Sequence, residues 1–199
     1  MPITTDTKNG WIAVFEQSKA ITGFSIEDEE LIRNAANSLL PRSKDIAAEF
    51  YEKLLEYEPT ANILKDLNLG EELVDKHLRQ WVESLLKGQY DDSFWAWHWV
   101  IGLILVQFNL DRVNLTSLIG QLQKILIKKA FEIFRENSAV QITFALINLT
   151  SCLSLIILKS YSHEYDNAIA ASGLKSSVLN RMISMEVKNK IKSFSKDAA

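Results

Sequence analysis

Between Asn137 and Leu158 the chain carries no charged side chain, and no other feature constrains its fold as strongly. A run of that length either spans a bilayer or forms the central helix of a packed domain. Gln141, Thr143, Asn148, Thr150, Ser151 and Ser154 interrupt it, and such groups cost free energy in lipid. The run therefore reads as a core helix, and the shorter apolar stretch from Trp99 to Phe108 as a second one. No membrane association is expected. The opening Met-Pro-Ile-Thr-Thr-Asp lacks the basic start and apolar run of a secretory signal.

Helical periodicity continues along most of the remaining chain. Ser25 followed by Glu27 and Asp28 is a helix start, with acids placed where the positive end of the helix dipole favours them. Pro41 breaks that helix before the next. Residues 71–87 put Leu73, Val74, His77, Leu78, Trp81 and Leu85 on one broad side and charged residues on the other. Residues 93–109 are apolar nearly all round, as in a helix buried at the centre of a fold. With 7 Gly and 3 Pro in 199 residues there is little material for hairpin turns, so the chain is expected to be all-α. The reading divides it into an N-terminal arm (1–24), a helical domain (25–185) and a basic tail (186–199) that frays.

Charge and cysteine use narrow the function. A net charge of −3 and a pI near 5.7 argue against a nucleic-acid binder driven by phosphate contacts. One cysteine, Cys152, leaves no internal disulfide and no Cys-based zinc site, which suits a reducing cytoplasm. The chain carries no Gly-rich phosphate loop, no Gly-x-Ser-x-Gly, no His-Glu-x-x-His and no carboxylate–His cluster at metal spacing, so it is expected not to be an enzyme.

A central apolar helix among seven or eight is a globin-like count, and local residues sharpen the likeness. Phe50-Tyr51-Glu52-Lys53-Leu54, then Glu58-Pro59, then Leu85 to Asp92, then Ile101-Gly102 follow one another in an order and spacing that resembles the globin domains of globin-coupled sensors. Ala171 to Leu174, Leu179 and Met182 resemble the end of such domains. The resemblance covers roughly Glu27 to Met185. It implies a globin-like fold with an extra N-terminal helix and a helical tail, and a sensor that binds heme b, and oxygen on it, between two helices.

In that family the iron is held by a His in a pattern resembling Ile-Gly-x-x-His-x-Arg-Ile-Gly-Leu. The matching stretch here runs from Ile101 to Leu110, which puts Leu105 at the iron-ligand position, Gln107 at the Arg and Asn109 at the second Gly. The family's aromatic pair falls on Asn114 and Leu115. A hydrocarbon side chain has no electron pair for iron, so the usual proximal bond cannot form. Tyr51 matches the family's Tyr facing bound gas, and His77 falls on the distal helix.

Two functions follow. In the first, a sensor globin holds heme through an atypical ligand, His77, with Tyr51 as polar pocket group and Val74, Trp81, Leu105 and Phe108 as apolar lining. In the second, a heme-free globin is an interaction module, or takes an apolar molecule such as a fatty acid or an open-chain tetrapyrrole. Either form is expected to pair into a homodimer through its C-terminal long helices and to pass a signal to a partner protein. Plainer readings stand beside these. His77 can be a hydrogen-bonded core residue, and His98 a partly exposed His between Trp97 and Trp99. Trp95 and Trp99 share a helix face as core filling, with Trp97 pointing elsewhere. Cys152 reads as an inert core thiol, although it could also anchor a tetrapyrrole. His163 reads as a surface residue at a helix end.

Overall fold

A computed structural model describes residues 5–66, 71–108, 110–173, 178 and 181–187. Among these residues the order is α1 (Thr5–Thr22), α2 (Ile26–Leu39), a 3-10 turn (Leu40–Arg42), α3 (Ser43–Glu56), α4 (Glu58–Asp66), α5 (Glu71–Leu86), α6 (Asp92–Gln107), α7 (Arg112–Ile133) and α8 (Glu136–Ala171). The side chain of Trp11, the turn Asn68-Leu69-Gly70, Asn109, Leu174, Leu179 and the tail lysines lie outside the described residues.

Helix starts follow local chemistry. Ser25 Oγ accepts from the Asp28 amide while Asp28 Oδ2 accepts from the Ser25 amide, a reciprocal box that opens α2. Asp91 caps α6 by accepting from Phe94 N at 2.9 Å, and Asp111 caps α7 by accepting from Val113 N. Gly88 closes the turn after α5 at φ +62, where an L side chain is strained and a Cβ would also run into the Arg33 backbone. Arg33 Nε donates to the Gly88 carbonyl at 2.9 Å and pins that turn to α2.

The chain forms two compact units, residues 1–160 and 161–199. In the first, α3 packs against α5 and α7, α2 packs against the same two, and α1 lies on α6. Phe15 of α1 sits 4.3 Å from Trp95, ring to ring, so the N-terminal arm joins the core. Trp95 and Trp99 are buried and Trp97 is exposed, as their spacing requires. A large apolar cluster runs through α2, α3, α5, α6, α7 and α8. A smaller cluster joins Leu110, Leu115, Leu118 and Ile157, with Ile101 and Leu105 against it.

The charge-free run is the buried middle of α8. By length and composition this helix could cross a membrane, but 56% of its most apolar window is buried inside the fold. Three of its polar groups find protein partners: Asn148 donates to Asp28 at 3.1 Å, Gln123 donates to Thr150 at 2.9 Å, and Ser160 Oγ donates to the Trp99 carbonyl at 2.6 Å, while Thr143 Oγ1 is buried with none among the described residues. In the second unit Tyr161 and Tyr165 stack at 6.5 Å, His163 is exposed, and residues 181–187 are helical and exposed.

Candidate functional site

The amphipathic face of α5 and the all-round apolar α6 enclose a crevice with α3 and α4, and the crevice is in two parts. The outer cleft, about 630 Å³, is lined by Leu54, Leu64, Val74, His77, Leu78, Gln80, Trp81, Ser84, Trp97 and Ile101. The inner chamber, about 200 Å³, is lined by Phe50, Leu54, Thr60, Ile63, Leu64, Trp81, Ile101, Leu105, Leu110, Leu115, Leu118, Ile119 and Ile157. Leu54, Leu64, Trp81 and Ile101 belong to both walls and form the partition.

The inner chamber is walled almost wholly by hydrocarbon. Its two polar side chains are both engaged: Thr60 Oγ1 hydrogen-bonds the Tyr57 carbonyl at 2.9 Å and the Leu54 carbonyl at 2.5 Å, and Trp81 Nε1 donates to His98 Nε2 at 3.0 Å. Cavities with such walls exclude water and favour apolar occupants.

The histidines are arranged differently from the sequence reading: His77 is exposed on α5 and is not a core residue. His98 is not partly exposed between tryptophans; it is fully buried. Its Nδ1 lies 2.7 Å from the Phe94 carbonyl one turn back, which assigns the proton to Nδ1 and leaves Nε2 as the acceptor for the Trp81 indole. Burial holds its pKa down at about 4, against the opposing pull of the Phe94 carbonyl, so the ring is neutral. Periodicity placed His98 on the apolar helix, but the partner that seals it comes from α5, which no local pattern reveals. The His98-Trp99-Val100-Ile101-Gly102-Leu103 segment also repeats the second half of the family's iron-ligand pattern, two turns before Leu105 on the same helix face.

Of the six expected pocket residues, Trp81 and Leu105 line the inner chamber, and Val74, His77 and Trp81 line the outer cleft. His77 faces that cleft from an exposed position at its mouth. Tyr51 and Phe108 are half-buried and line neither space. Cys152 is buried, and burial pushes its thiol up to about 12. Among the described residues no group of three His, Cys, Asp or Glu is placed to hold a metal ion.

The order of helices and the crevice between α5 and α6 are those of a globin, and the family profile of protoglobins matches residues 13–167. The chain belongs to the protoglobin family. Its fold is similar to that of the globin domain of the Geobacter sulfurreducens globin-coupled sensor, with a TM-score of 0.66 at 22% sequence identity, covering 73% of this chain and 96% of that one. No curated protein matches it in sequence.

Protoglobins typically hold heme, and α6 carries one nitrogen in the family's iron-ligand context, His98 Nε2. Leu105 offers iron no electron pair, whereas the segment from His98 to Leu103 repeats the pattern with Val100 at the Arg and supplies an imidazole. His98 Nε2 is already bonded, and His77 stands in the outer cleft.

Proposed function

We propose that this protoglobin is a non-enzymatic sensor that works without heme, its crevice taking an apolar chain with a polar head, as a fatty acid has. What supports this is the wall of the inner chamber, which is hydrocarbon with both of its polar side chains engaged. The outer cleft adds His77 and Gln80 at its mouth, which suits a head group facing water. The ligand range follows from the walls, because an apolar inner surface selects hydrocarbon and a few mouth groups orient it.

A second reading keeps heme and is favoured by two nitrogens, His77 in the outer cleft and His98 Nε2 behind Trp81. A hemin titration of the purified protein separates the two readings. The proposed function expects no stoichiometric Soret band, together with saturable binding of a fluorescent fatty acid such as cis-parinarate. Leu105→Trp, which fills the chamber, is expected to lower that binding at least tenfold while leaving the helical signal intact. A stoichiometric Soret band lost in His77→Ala or His98→Ala overturns the heme-free reading and identifies the ligand.

The signal is proposed to pass between two copies of the chain in a cytoplasmic homodimer. Val140 and Phe144, one turn apart on α8, are 38% and 61% exposed, and Phe131 on α7 is 50% exposed. Exposed apolar side chains of this size suit a two-fold contact.

A further inference from the structure

A second crevice opens between α3 and α7, and its lining is the reverse of the chamber's. It encloses about 330 Å³, at the small end of the range of about 300–1,000 Å³ that ligand pockets commonly occupy. Leu118 is its one hydrocarbon side chain. That leucine is buried, and it is the one residue shared with the crevice between α5 and α6.

Helical spacing gathers the polar groups. Asn114, Ser117 and Gln121 recur at three and four residues along α7 and so share one face of it. Lys53, Glu56 and Tyr57 repeat that spacing at the end of α3, which packs on α7. Lys53 Nζ donates to Glu56 Oε1 at 2.7 Å and to Oε2 at 2.8 Å, so a cation and an anion stand side by side. Tyr57, Asn114 and Gln121 are half-buried, and their side chains have no hydrogen-bond partner among the described residues.

We propose that this α3–α7 crevice binds a free α-amino acid with a short, neutral, polar side chain. Such a ligand carries a carboxylate and an ammonium on one carbon, and Lys53 and Glu56 offer the matching charges as neighbours. An exposed ion pair contributes little when intact, so both groups turn to a ligand at small cost. Each of the two amides presents a donor and an acceptor, and the phenol does the same. Together they suit a side-chain amide or hydroxyl. A charged side chain finds no charge left among the lining residues, and a long apolar one finds Leu118 alone. The groups stand on packed helices, which presets their spacing. Binding here does not depend on which guest the α5–α6 crevice takes.

A 15N NMR titration of the full chain with L-glutamine tests the assignment. Two one-ended analogues accompany it: glutaramate, which lacks the ammonium, and 4-aminobutanamide, which lacks the carboxylate. Glutamine is expected to bind with a Kd of about 1 mM or below, moving the side-chain amide resonances of Asn114 and Gln121, which are assigned by their loss in Asn114→Leu and Gln121→Leu. Each analogue is expected to bind about tenfold more weakly than glutamine. Lys53→Met and Glu56→Gln, which alter exposed positions and keep the helix, are each expected to weaken glutamine by about the same factor. Equal affinity for glutamine and either analogue overturns the amino-acid reading. Glutamine that binds while both amides stay unmoved overturns the location. Absence of binding by glutamine, asparagine and serine alike overturns the site and leaves a water-filled crevice.

Discussion

His98 is a base whose proton uptake is opposed by its surroundings. Its folded pKa of about 4 lies below the ordinary value of 6.5, so between those values the unfolded chain binds more protons than the folded one. Stability from this group is complete above about pH 6.5 and is lost as the pH falls toward 4, to an extent of about 3 kcal/mol. Thermal unfolding across that window is expected to show a steep fall in Tm for the parent and a shallower one for His98→Phe. Cys152 yields a simpler expectation: a buried thiol held near 12 does not react with a maleimide until the protein unfolds. The sequence revealed that Cys152 is a core residue, because it lies in the charge-free run of its helix. It did not reveal the state of His98, because the bond that neutralises it reaches across 17 positions to another helix.

At the scale of the element, α6 is held against α8 at Gly102. A Cβ there would meet the Ile157 carbonyl oxygen at 2.5 Å and the Ser160 side chain at 2.8 Å, and backbone does not yield as a flexible side chain does. Gly102→Ala is expected to cost about 1–3 kcal/mol, read as a lower urea midpoint with unchanged slope. Helix placement was legible because three starts have a chemical marker, as Ser25, Asp91 and Asp111 show, and because the apolar stripes have the helical period. The division of the crevice was not. Trp81 and Leu105 were legible as apolar faces of their helices, but that both edge one chamber depends on how α5, α6 and α7 meet. Tyr51 was legible only as a match to a family pattern, and its side chain lines neither space.

At the scale of the whole molecule, the exposed apolar ridge on α7 and α8 is expected to bring two copies together. Light scattering on the purified chain is expected to report a dimer, and Phe144→Glu a monomer with unchanged helical content. A monomeric parent at high concentration would remove the two-fold pairing from the proposed function without touching the crevice. The close approach at Gly102 has one more consequence. With α6 seated on α8 by backbone contact, and Ser160 tied to the Trp99 carbonyl, that bank of the crevice has no slack. Whatever yields when a guest arrives must yield on the opposite bank, where α5 is moored to α2 by Arg33 at Gly88. A cargo's message in this globin would therefore leave by α5, the helix that carries Trp81, and not by α6.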